Sequence, residues 1–254
     1  MNWFSILQEK NPLLFWYGLL CFAGGLVCIG LIKISSVQVA GISAYIKPMK
    51  FFLSIAIFAW TMGWLLDELH LPLVTKRYSL MVIIVMSFEL LVITWQAANG
   101  RLSHFNNSRP LYSMLFGLMG LAIVILTVWT LLIGWRFFNL SSAGLNAGYL
   151  NGIRMGILLF VIFSFQGGMM AARLSHTVGA PDGGPGLPLI NWSREHGDLR
   201  VAHFFGIHAL QLLPLLGYYV FRSSKEIIIA GLVYFLLVSL LLIQALRGLP
   251  LLKR

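Results

Sequence analysis

Seven stretches of this chain, at 12–32, 48–66, 78–98, 110–135, 150–172, 199–221 and 225–246, are apolar over about the 20 residues a bilayer core requires. Inside hydrocarbon no water reaches a backbone amide, so each stretch must pair its N–H and C=O groups internally or join a closed barrel. The runs are continuous rather than alternating at period two, which selects helices. The expected fold is therefore all-α. It is an integral membrane bundle of about seven transmembrane helices, one domain over 1–254, with a long Gly/Pro-rich loop between helices 5 and 6. The charge content of 10% agrees, since soluble domains carry about a quarter. The first run is too long for a signal-peptide core and lacks a small-residue cleavage site, so it is expected to be retained.

The net charge of +10 does not point to nucleic acid. Its basic residues are scattered singly through short loops, with no cluster interleaved with aromatics. Lys and Arg beside spans serve orientation and anionic headgroups instead. The expected partner is the lipid bilayer, with a lipid-like or small-molecule substrate and an oligomeric state left open. The loops joining spans 1–2, 3–4 and 5–6, together with the C-terminus, form the odd face. It carries Lys33, Lys47, Lys50, Arg101, Arg109, Arg173, Arg194, Arg200, Arg247, Lys253 and Arg254. The even face carries Lys10, Lys76, Arg77, Arg136, Arg154, Arg222 and Lys225. The excess favours an odd face in the cytoplasm, but it vanishes if Arg101, Arg173, Arg194 and Arg200 belong to a site. Cys21 and Cys28 lie about 10 Å apart along one helix, too far to bridge each other.

The polar residues collect at 172–211, after the fifth span and into the sixth. Arg173-Leu174-Ser175-His176 repeats Arg101-Leu102-Ser103-His104, which follows the third span; either duplication or chance accounts for four matching residues. Glu89 lies within the third span, where a charge costs about 2.5–3.5 kcal/mol on insertion scales and so calls for an interior partner or cavity. Gln96, two turns on, shares its face and leads toward Arg101 and His104. In the fifth span Gln166 and Arg173 share a face. In the sixth, Arg200, Gln211 and Tyr218 nearly superimpose, flanked by His203 and His208, a stripe expected to face other helices.

His203 and His208 are five apart, a poor pair for one metal on a regular helix. The loop 177–198 holds Asp182, a Pro-Asp-Gly-Gly-Pro-Gly run and Trp192, and reads as a shaped cap with the indole at the membrane interface. No Gly-Lys-Ser/Thr follows its glycines, so it is not a phosphate loop. Lys47 and Lys50 read as interfacial anchors snorkelling to headgroups, and Asp67, Glu68 and His70 as a solvated span end.

Taken together, Lys47-Pro48-x-Lys50-Phe51, Arg101-x-Ser103-His104-Phe105-Asn106, His176-Thr177-Val178-Gly179 and Gly197-Asp198-Leu199-Arg200-x-x-His203-Phe204 resemble a family of uncharacterised bacterial multi-pass membrane proteins. The resemblance implies a bacterial inner (plasma) membrane and transfers no activity. The chain departs from the transmembrane ceramidase-like hydrolases, which space the corresponding histidines by four.

Four functions follow. The first is a membrane enzyme with a Zn, Cu or Fe centre on His104, His176, His203 and His208. In it, Glu89 serves as ligand or base, Arg101, Arg173 and Arg200 hold an anionic substrate or orient the acids, and Asp182 and Asp198 are opposite-sign partners. The second is a haem b electron carrier on His203 or His208, non-covalent because no Cys-x-x-Cys-His is present. The third is a transporter or proton relay on Glu89 and Gln96. The fourth is a structural or sensory protein with a satisfied polar plug. The first three share an expectation that side chains from the third, fifth and sixth spans meet in one chamber.

Overall fold

The computed structural model describes residues 3–141, 144–188 and 190–252; Lys253 and Arg254, counted above on the odd face, lie outside the described residues. Seven helices are long and apolar enough to cross a membrane: α2 (Pro12–Ile34), α3 (Ile46–Asp67), α4 (Pro72–Ala98), α5 (Pro110–Phe138), α6 (Ala147–Arg173), α7 (Leu199–Tyr219) and α8 (Ser224–Leu246). The protein is a multi-pass membrane protein of helical class. A short helix that apolar length alone does not reveal, α1 (Trp3–Lys10), precedes them. Its Lys10 ammonium pairs with Asp67 at 2.8 Å and Glu68 at 3.4 Å, so the acidic end of α3 is tied down as well as solvated.

The chain divides into two compact units, Met1–Leu126 and Thr127–Arg254, with the division inside α5. In the first unit α2 and α3 form a tight antiparallel pair, and α4 packs on both. Asn11 starts α2 by accepting the Leu14 amide, with Pro12 in the first turn where its missing N–H costs nothing. The same Asn11 donates to Ser79 Oγ of α4 at 3.0 Å, joining the two helices through a buried polar bond. A hairpin of β1 (Gln38–Val39) and β2 (Ile42–Ser43) connects α2 to α3. Its two turn residues, Ala40 and Gly41, both have positive φ, as a tight two-residue hairpin demands.

In the second unit α6 and α7 are the closest pair, and the cause is a glycine ladder. Gly148, Gly152 and Gly156 recur every four residues along α6. A side chain at Gly152 would strike the carbonyl of Leu213, and one at Gly156 would come 3.0 Å from that of Ala209. Small residues at this spacing let two membrane helices approach backbone to backbone. The close approach also accommodates Pro214 inside α7, which packs on Gly156. α8 covers this pair through Ile227 and Val238, which join Leu159, Phe163 and Leu213 in one buried cluster. The outward faces of α5 and α8 expose long rows of Leu, Ile and Val, as lipid contact requires.

Candidate functional site

Within the first unit, the end where α2 and α4 stop and α3 starts holds the chemistry. Glu89 of α4 is 2% exposed and Gln96 is 1% exposed, so both occupy the buried face that their spacing forecast. Neither Glu89 Oε1 nor Gln96 Oε1 has a hydrogen-bond partner, and the same holds for Ser43 Oγ and Thr94 Oγ1. Buried acceptors without donors cost about 1–3 kcal/mol each, more when charged, so Glu89 and Gln96, two turns apart on one helix, mark a face that does something besides pack.

Three rings surround this end. His104 lies 5.8 Å from Phe51 and 5.9 Å from Phe116 between centroids, with Ser103 Oγ 3.2 Å from its Nδ1. Burial, and secondarily the nearby Lys47 charge, hold the His104 imidazole well below its usual titration range, so it is neutral at physiological pH. The Lys47 ammonium sits 5.9 Å over the Phe51 ring and acts electrostatically on both Glu89 and His104. Lys47 is half-buried in the first turn of α3. Lys50, one helical turn away, is half-buried. Arg101 does not reach toward Glu89; it donates to the Tyr112 hydroxyl and lies over the Tyr112 ring.

Within the second unit, the loop between α6 and α7 folds as a long hairpin. Thr177–Val178 (β3) pairs antiparallel with Gly197–Asp198 (β4), and Gly186 bridges Ser193 further out. Each arm is tied by an aspartate. Asp182 accepts from Ser175 Oγ and the Thr177 amide, both at 2.9 Å, and lies 3.1 Å from His176 Nδ1. Burial works to raise the Asp182 carboxyl; the bond from Thr177, the His176 charge and the bond from Ser175 outweigh it and hold it below the usual range. Asp198, 1% exposed, caps α7 through the Arg200 amide, accepts the Ser193 amide and grips the Arg200 guanidinium through both oxygens at 2.9 and 2.6 Å. Between the arms lies a cleft of about 200 Å³ lined by His176, Thr177, Asn191, Ser193, His196 and Arg200, with glycines and prolines at its rim.

Among the described residues, no group of three or more His, Cys, Asp or Glu side chains could hold a metal ion. No metal centre on His104, His176, His203 and His208 is shown, and each ring has a local contact. His104 is wedged among aromatics and His176 leans on Asp182. His203 Nδ1 donates to the Phe163 carbonyl of α6 at 2.8 Å, its ring lying over Gly167. His208 Nδ1 bonds Gln211 Oε1 at 3.0 Å on its own helix. Arg200, expected to hold a substrate, lines the cleft and is held in place by Asp198 and the Asn191 carbonyl.

Arg173 stands exposed at the end of α6. Tyr218, expected to face a helix, is exposed near the far end of α7, where a phenol reaches headgroups. Trp192 is buried against Phe204 and Phe205. Gln166 is buried with both amide atoms unpartnered. The two Arg-Leu-Ser-His copies take different roles, one ending beside an aromatic cage and the other bound to Asp182. Both cysteines are free and buried.

Sequence reasoning passed over the Gly148–Gly152–Gly156 ladder, although its small-x-x-x-small spacing is legible in the chain. Family models, curated proteins and solved structures yield no match to this chain. The resemblance noted above therefore rests on its motifs alone.

Proposed function

We propose that the protein is a proton-linked carrier or relay in which Glu89 takes up and releases the proton. One observation supports this above the others: a carboxyl buried in a membrane helix with an oxygen that no protein donor reaches. Such a group is tolerable in hydrocarbon chiefly when neutral, and useful chiefly when it can change state. Glu89 is nine residues from the end of α4, about 13 Å along the axis, which puts it well inside the span. Neutral His104 and Gln96 lie toward the odd-loop end and supply polar steps between Glu89 and that surface. The expected location is a bacterial plasma membrane, following the resemblance of the motifs.

The test uses purified protein in liposomes loaded with pyranine, an imposed pH gradient, and valinomycin with potassium to clamp the voltage. Wild type is expected to carry protons, Glu89→Gln to lose at least tenfold in rate, and Glu89→Asp to retain part of it. Equal flux in wild type and Glu89→Gln, with both proteins folded, refutes the reading.

The cleft in the second unit supports a second reading, a polar-ligand or catalytic site at a membrane face. His176 and His196 line it beside a fixed guanidinium.

A further inference from the structure

The cleft in the α6–α7 hairpin has charged groups of both signs on its wall, Arg200 and Glu195. We infer that it holds an ethanolamine phosphate unit, with the phosphate on Arg200 and the ammonium on Glu195. A lipid headgroup and the free compound share that chemistry. The inference rests on the cleft reading above, names its ligand, and owes nothing to Glu89.

The phosphate side follows from the donors that the protein leaves over. Asp198 engages Nε and Nη2 of Arg200 at 2.9 and 2.6 Å, and the Asn191 carbonyl accepts from Nη2 at 2.5 Å. Nη1 and its N–H donors have no partner among the described residues, on a guanidinium that three bonds hold still. Ser193 Oγ accepts the His196 and Glu195 amides at 3.0 and 3.4 Å, so its O–H is left to donate. His196 and Asn191 line the same cleft and carry further N–H groups. A fixed guanidinium beside hydroxyl and N–H donors is the set that recognises phosphate oxygens.

A plain anion is a poorer match. Asp198 already neutralises Arg200, and Glu195 is exposed with no cation paired to it among the described residues. A ligand bearing only negative charge meets that carboxylate; one with its own ammonium is complementary at both ends. The ammonium is a primary one. Among the described residues the lining holds no Phe, Tyr or Trp, and aromatic faces are what bind the quaternary ammonium of choline. N–H donors suit a carboxylate instead.

Size and depth agree. The cleft of about 200 Å³ has room for about seven waters at roughly 30 Å³ each, which suits a headgroup and excludes a drug-sized ligand. α7 has 21 residues, about 31 Å of helix, close to the hydrocarbon thickness of about 30 Å. Arg200, its second residue, therefore sits where acyl chains give way to headgroups.

The test is native mass spectrometry of the full chain in detergent with equimolar phosphatidylethanolamine, phosphatidylcholine and phosphatidylglycerol of identical acyl chains. Calorimetric titration with O-phosphoethanolamine and with phosphocholine accompanies it. Phosphatidylethanolamine is expected to be retained at least fivefold over the other two lipids, and Glu195→Gln, checked for folding by thermal denaturation, to abolish the preference. That preference without binding of O-phosphoethanolamine assigns the lipid. Saturable binding of O-phosphoethanolamine but not phosphocholine, with the three lipids retained equally, assigns the free compound; both effects together assign the headgroup in either form. If Glu195→Gln fails to fold, the wild-type contrasts between ethanolamine and choline compounds still decide the matter. A preference for phosphatidylglycerol that folded Arg200→Lys removes overturns the zwitterion and leaves the cleft a ligand site. A phosphatidylethanolamine preference that survives in folded Glu195→Gln overturns the assignment to this cleft. Equal retention of all three lipids with no binding of O-phosphoethanolamine overturns the inference and the cleft reading together.

Discussion

Replacing Asp198 by alanine should open the hairpin between α6 and α7, and the cost can be worked from its bonds. The carboxylate accepts four: the Arg200 amide at 3.0 Å, the Ser193 amide at 2.8 Å, and Arg200 Nε and Nη2 at 2.9 and 2.6 Å. Loss of a helix N-cap costs about 1 kcal/mol. Breaking a buried ion pair costs about 3–5 kcal/mol because the surviving charge is stranded. Arg200 is not fully stranded, since its side chain keeps 24% exposure and the bond to the Asn191 carbonyl. The two losses also overlap, because both begin with the same carboxylate. A net cost near 3 kcal/mol results, a factor of roughly 150 in the unfolding equilibrium. Asp198→Asn keeps one cap acceptor and should cost about half as much. Equilibrium unfolding by dodecyl sulfate in mixed micelles measures both variants, and trypsin cleavage at Arg194 reports the hairpin directly. A cost below about 1 kcal/mol for Asp198→Ala, with unchanged cleavage, would show that Asp198 does not organise the loop.

Two further outcomes follow from the same unit. Gly152→Val places methyl groups against the Leu213 carbonyl, so α6 and α7 must separate; overpacking of this kind costs about 1–3 kcal/mol, seen as a lower unfolding midpoint, whereas Ala at exposed Gly168 should cost little. Asp182 titrates below the ordinary carboxylate range, so its stabilising share is present above about pH 4 and disappears as pH falls through the depressed value. Trp192 fluorescence followed from pH 7 to pH 2 should show that acid loosening of the hairpin, and Asp182→Asn should already be loosened at neutral pH.

How much of this was legible beforehand depends on the range of the interaction. Glu89 and Gln96 could be placed on one buried face from their spacing because a helix repeats locally. Most starts and ends of the spans were found within a few residues because caps such as Asn11 and Asp198 act on their own turn; α4, whose start has no side-chain cap, begins six residues before the 78 expected. The partners of the histidines were not legible, for the opposite reason. His176 and Asp182 are six residues apart, yet their pairing depends on a turn whose shape no local rule supplies. His203 finds a carbonyl 40 residues away.

The linear chain by itself determined that this is a helical membrane protein, because about 20 apolar residues in hydrocarbon leave the backbone no other means of satisfying its amides. It also determined where charge would be costly, and so singled out Glu89. Only the tertiary structure decided which groups that carboxyl meets. The charge of Lys47 acts on it from α3, and electrostatics act through space, with no trace in sequence separation.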